Sequence, residues 1–131
     1  MRAQRGHRST LKRARGLGSA RTGFRSWWWQ RLTAVALLPL TLWFVVVLVA
    51  TAGGGHRALL TWLANPVSAI AMVLLLTVLL WHMALGLTVV AEDYLHHVGI
   101  RSIVIAVIQL VCLTLVITGF MAVARLAFAT V

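Results

Sequence analysis

Apolar residues fill three long blocks of this chain, and polar positions gather in the gaps between them. The blocks run from about Leu32 to Ala52, from about Val67 to Tyr94 and from about Ser102 to Ala124. They are continuous rather than one-sided, which points to helices solvated by lipid instead of an amphipathic stripe on a soluble core. At 1.5 Å per residue the first block is roughly 31 Å long, enough to cross the hydrocarbon layer. Pro39 lies inside it and is expected to kink or loosen the helix locally. "GGG" at 53–55 ends the block, and 53–65 reads as a loop containing His56 and Arg57. Pro66 suits the first turn of the next helix. No repeat or heptad pattern is present. The expected fold is an all-α integral membrane protein with three transmembrane helices (32–52, 67–94 and 102–124). A basic arm over 1–26, flexible or ordered by a partner, precedes a membrane domain over 27–131.

Composition strengthens this picture. The chain is 61% hydrophobic, with a mean hydropathy of +0.94, where soluble domains sit near about 45–50% apolar. Nine of the twelve Lys and Arg residues lie at or before Arg31. A basic head on an apolar body places the head in the cytoplasm and suits anionic lipid. Nucleic acid is the rival partner for such a head, but no folded recognition module follows it, and none is expected. The first span then runs outward, the second returns and the third runs outward again. This puts "EDYLHHVGIR" at the cytoplasmic face and the segment after Arg125 outside. "ATA" at 50–52 resembles a signal-peptide cleavage site, but the apolar run exceeds an ordinary h-region of about 7–15 residues, and two more spans follow. Trp27, Trp28 and Trp29, set between arginines, read as an interfacial belt or as a packing surface for a partner subunit. The single cysteine, Cys112, excludes an internal disulfide and reads as a small packing residue. Without a Cys-x-x-Cys-His motif, covalent c-type haem attachment is excluded.

The second block carries the chemistry. His82 lies near its middle, and an ionisable group inside a span is by default a candidate for function. Asp93 follows eleven residues later. Eleven steps of about 100° bring it back to within about 20° of His82, some 16 Å along the axis. Gly86, on the same stripe, would let a bulky group or a second helix approach. Glu92 and Asp93 are the chain's only acids, and they stand at the carboxyl end of a helix. Acids are disfavoured there by about 0.3–1 kcal/mol each. A cation, a partner arginine or a proton-coupled reaction would account for them. Tyr94 adds a phenolic donor beside them. A neutral imidazole at this depth suits an axial bond to haem iron, and equally a hydrogen bond to a neighbouring helix. Gln109, Thr114 and Thr118 are expected to hydrogen-bond between helices. His96 and His97 read as solvated interfacial groups or proton relays. No phosphate loop, soluble-type zinc site or Ser/His/Asp arrangement is visible.

Two stretches, "WWWQRLTAVALLPLTLWF" at 27–44 and "HMALGLTVVAEDYLHHVGIR" at 82–101, resemble the small, D-type hydrophobic membrane anchor subunit of bacterial succinate dehydrogenase, respiratory complex II. His82, Gly86, Asp93 and Tyr94 match that family's pattern of a histidine, a glycine four later and Asp-Tyr eleven and twelve later. The Ser-x-x-His-Arg-x-Thr-Gly type motif of the larger C-type anchor is absent, and "QRLTA" stands in its place. The resemblance covers about residues 25–125.

That likeness implies a subunit of an enzyme complex rather than a catalyst alone, seated in the bacterial inner membrane. It implies a flavoprotein subunit, an iron–sulfur subunit and a second, C-type anchor as partners. A haem b would be shared between the two anchors, with His82 as this chain's axial ligand and Gly86 beside it. Tyr94 would bind a carbonyl oxygen of ubiquinone or menaquinone, with Asp93 orienting it or pairing with an arginine. Arg31, at the cytoplasmic start of the first span, would face a haem propionate. Arg101 and the Trp27–Trp29 triplet would face partner subunits. Two other readings stay open: an anchor for a related quinone-linked enzyme such as fumarate reductase, and a cofactor-free three-span structural protein.

Overall fold

A computed structural model of the protein describes residues 22–128, with side chains from Phe24 onward. The arginine-rich arm up to residue 21 lies outside the described residues. Four α-helices follow in order: α1 (Thr22–Thr51), α2 (Gly55–Leu63), α3 (Pro66–Tyr94) and α4 (Val98–Phe128). A single 3-10 turn, Ala52–Gly54, joins α1 to α2. There is no strand among the described residues. Three helical stretches are long and apolar enough to cross a membrane, as the hydropathy pattern requires.

The boundaries follow local chemistry. Asn65 caps α3, its side-chain oxygen accepting a 2.9 Å hydrogen bond from the Val67 N–H, and Pro66 occupies the first turn, where no N–H is missed. Leu95 leaves the helix in an extended conformation, so α3 ends directly behind the Glu92–Asp93–Tyr94 triplet. α1 begins ten residues before its apolar block and takes the tryptophan triplet into the helix. It stays helical through Pro39.

The segment 53–65 is not the loop its glycines suggest. Gly55 takes φ +60°, a conformation that glycine adopts without steric penalty, and this redirects the chain. α2 then doubles back, so that Trp62 meets Trp43 of α1 with ring centroids 5.0 Å apart. Its His56, Arg57 and Thr61 are exposed while Leu63 is buried. α2 touches α1, α3 and α4, and so closes one end of the molecule.

α3 packs against α1 on one side and α4 on the other, whereas α1 and α4 do not meet. The three long helices therefore form an open row with α3 in the middle. Buried residues are few and small or mid-sized: Leu37, Val47, Leu63, Ala69, Leu75, Ala91, Cys112 and Val123. Cys112 is a buried free thiol, as expected of a packing residue. Thr114 and Thr118 do not bridge helices. Each hydroxyl donates to the carbonyl four residues back, Leu110 and Thr114 respectively. Within a lipid-facing helix that carbonyl is the nearest acceptor, so the bond forms without a partner helix. Gln109 makes no interhelical hydrogen bond among the described residues either and lies in the wall of a cleft.

Gly119 of α4 faces α3; a Cβ there would stand 3.2 Å from Leu76 Cδ1. Gly119→Ala should displace only that flexible methyl and be nearly neutral. Gly119→Leu should separate α3 from α4 and cost about 1–3 kcal/mol. Thermal unfolding of the detergent-purified protein checks both.

Candidate functional site

The site is built on α3, near the middle of its length. His82 is half-buried, and its Nδ1 lies 2.9 Å from the Thr33 hydroxyl of α1. Thr33 is itself 8% exposed. Its oxygen also stands 2.8 Å from the Trp29 carbonyl and 3.1 Å from that of Gln30. Of the threonines that bond back to their own helix, Thr33 is the one that also reaches another. The histidine is thus hydrogen-bonded to a neighbouring helix, one of its two expected environments. That bond engages one ring nitrogen and leaves Nε2 without a hydrogen-bond partner among the described residues.

One turn further along α3, Gly86 faces α1. A Cβ there would stand 3.8 Å from Gln30 Nε2. The close approach expected of Gly86 is therefore made by the Gln30 side chain, with space for a methyl group to spare. Trp29 meets Trp81 with ring centroids 6.0 Å apart. From Gly86 to His82 the partner on α1 advances from Gln30 to Thr33, so the two helices run antiparallel.

This register moves Arg31. Two residues before Thr33, it lies only about 3 Å from the level of His82 along the axis, and about 200° round α1 from Thr33. The sequence places Arg31 at the membrane edge and His82 at mid-depth. In this register the two stand at nearly one level along the helices, without the edge-to-middle separation that the sequence suggests. The Arg31 guanidinium lies over the Trp27 ring, 5.4 Å from its centroid, in a favourable cation–π contact. The tryptophan triplet divides in the same way. Trp29 turns to α3, while Trp27 and Trp28 are half-exposed and pack on each other beside Phe24.

Asp93 and Tyr94 end the same continuous helix, three turns from His82. Both are exposed, Tyr94 to 78%. Neither they nor Glu92 pair with an arginine among the described residues; Arg101, at the start of α4, stands unpaired as well. These side chains form one wall of a site at most. Two apolar hollows flank α3. One of about 410 Å³ lies between α3 and α4, lined among others by Trp81, Thr88, Gln109 and Cys112. The other, about 160 Å³, lies between α1 and α3, against Trp29, Thr33 and Trp81. His82, Asp93 and Tyr94 line neither. The described residues hold no cluster of three or more His, Cys, Asp or Glu able to enclose a bare metal ion.

Thr33 and Gln30 were not singled out from the sequence. Their signal is a small hydroxyl and an amide inside an apolar helix, and only the register of α1 on α3 separates Thr33 from the other threonines.

Comparison with known proteins bears on the identity of this arrangement. Residues 4–120 match the model of a family described as succinate dehydrogenase/fumarate reductase transmembrane subunit. Similar curated proteins include the succinate dehydrogenase hydrophobic membrane anchor subunits of Rickettsia conorii, 26% identical over 84% of this chain and 88% of its own, and of Rickettsia bellii, 28% identical over 88% and 93%. The subunit of the same name from Paracoccus denitrificans is 34% identical over 63% of this chain and 64% of its own. No solved structure matches. With three apolar helices able to span a membrane and a family match running across all three, the chain belongs to the succinate dehydrogenase/fumarate reductase transmembrane subunit family.

Proposed function

We propose that this protein is the D-type membrane anchor of a bacterial succinate:quinone oxidoreductase. In this reading it binds haem b jointly with a C-type anchor, through His82, and contributes Asp93 and Tyr94 to the site of quinone reduction. A flavoprotein subunit and an iron–sulfur subunit dock on the cytoplasmic side, where the basic N-terminal arm lies. The observation that carries the reading is the shared face of α3. An oriented imidazole near mid-helix and the Asp93 carboxyl at the helix end lie about 16 Å apart on nearly one line, with Tyr94 next to Asp93 about 120° round the helix from His82. Succinate rather than fumarate chemistry is chosen because the curated relatives carry that name.

The donor set fits haem better than a bare ion. A porphyrin would bring most of the iron's donors itself, so each chain would need to supply only one imidazole. His82 offers such a nitrogen, Nε2, while Nδ1 is held by Thr33. Bound haem b supplies a one-electron redox centre. The remaining roles belong to side chains. Thr33 holds the His82 ring, and the missing side chain of Gly86 keeps the neighbouring turn narrow. Arg31 shares the level of His82, and only its long side chain could bring its charge to a propionate, since its root faces away from α3. At the helix end, the Tyr94 hydroxyl donates to a carbonyl oxygen of ubiquinone or menaquinone. Asp93 accepts a hydrogen bond there and stands near the path of the two protons that complete quinol. The unpaired acids at the negative end of α3 have a purpose in that setting, because their cation is offered by a partner chain. The exposure of Tyr94 fits a pocket whose other walls come from the iron–sulfur subunit and the second anchor.

Three measurements test the reading. The purified complex should show the visible spectrum of bis-histidine haem b, and His82→Ala should remove or alter it. An unaltered spectrum in that variant would sink the ligand assignment, and a chain that purifies without haem or partners would favour the cofactor-free alternative. Tyr94→Phe should lower quinone reduction by about 10²-fold, the lower range for a lost proton donor, while succinate oxidation with an artificial acceptor survives. Equal loss of both activities would indicate an assembly defect. In a Cys112→Ser background, Gly53→Cys should react with an impermeant thiol reagent from outside the cell, and His97→Cys only from the cytoplasmic side. The reverse pattern would invert the topology.

A further inference from the structure

We propose that Thr33 is a positioning residue for His82: it fixes the imidazole with its proton on Nδ1 and thereby frees Nε2 to bind iron. The inference rests on the haem reading above and adds a residue to it.

The argument is a count of hydrogens. Thr33 Oγ1 is within bonding distance of the Trp29 carbonyl (2.8 Å), the Gln30 carbonyl (3.1 Å) and His82 Nδ1 (2.9 Å). A hydroxyl has one hydrogen to give and two lone pairs to accept with. A carbonyl oxygen can only accept. If the hydroxyl donates to Nδ1, the proton of the neutral ring sits on Nε2, where it has no partner among the described residues. If the hydroxyl donates to Trp29, its oxygen accepts from Nδ1–H and both hydrogens are used. In a region without bulk water the second arrangement makes one more bond and leaves no unpaired N–H. It is also the arrangement in which the other nitrogen presents its lone pair.

The chain of bonds runs from His82 Nδ1–H to Thr33 Oγ1, and from its O–H to the Trp29 carbonyl. Each bond polarises the next. An imidazole that donates its second N–H to an acceptor is oriented and is a stronger electron donor to metal. Stronger donation favours the ferric state. Thr33 therefore holds the haem potential below the value His82 alone would give, and it strengthens haem retention. Thr33 also lines the hollow of about 160 Å³ between α1 and α3, together with Trp29, Thr77, Val78 and Trp81.

The experiment compares the intact complex carrying Thr33→Val, Thr33→Ala or Thr33→Ser with the parent and with His82→Ala. The expected result is that Thr33→Val and Thr33→Ala keep a bis-histidine haem spectrum, raise its midpoint potential and weaken haem retention by about 10- to 100-fold. Thr33→Ser, which keeps the hydroxyl, should restore both to parental values. A parental potential in Thr33→Val and Thr33→Ala would overturn the proposal, as would a Thr33→Ser shift as large as theirs. Loss of assembly in both apolar variants would also overturn it, in favour of a packing role. The haem reading fails separately, when His82→Ala retains the parental spectrum.

Discussion

One hydrogen bond between helices gives this fold its register. Lipid tails are as apolar as leucine, so burying leucine between two helices gains little there, and packing and polar contacts must decide how helices meet. Among the described residues, α1 and α3 share a single side-chain hydrogen bond, between Thr33 and His82. Its position sets which residues of α1 stand beside which of α3. Gln30 comes to lie over Gly86, Trp29 beside Trp81, and Arg31 within a few ångströms of the histidine's level. A shift by one turn would leave a polar ring nitrogen facing hydrocarbon, which is why one modest contact can govern a long interface.

The open row explains how little of the protein is buried. Among the described residues no large side chain is fully enclosed, and Leu38, Leu42, Val49, Val67, Ile70 and Ile103 are all more than half exposed. In water such a surface would aggregate. In a bilayer it is ordinary, and it also leaves both flanks of α3 available, since neither α1 nor α4 wraps fully around it. The proposed sharing of a cofactor with another subunit would need such accessibility.

The sequence revealed different parts of this structure with unequal clarity. Hydropathy located the three spans, because nothing but a membrane makes blocks that long and that apolar useful. Helical phase placed His82, Gly86 and Asp93 on one stripe, because a period of 3.6 holds in any straight helix. Helix α2 was concealed by "GGG" at its start. The glycines mark a change of direction, and the helix takes up again directly after it. Thr33 was concealed for another reason. Thr41, Thr51, Thr77 and Thr88 make the same bond to the carbonyl four residues back, so the residue type carries no signal. What distinguishes Thr33 is a neighbour 49 positions away, and the meeting of two helices is not written in either one alone.

The reversal at Gly55 has a consequence for the shape of the whole. From Phe24 to Leu63 the chain is an almost unbroken run of 40 helical residues. Drawn straight, that run would be about 60 Å long, roughly twice the hydrocarbon thickness. Folded back, its last turns lie across the ends of their neighbours, and Trp62 is pinned to Trp43. That end is lidded by the protein's own chain. Among the described residues, the opposite end, where α1 begins and Tyr94 stands exposed, has no such lid. Among the described residues the molecule therefore has a blunt pole and a more open one.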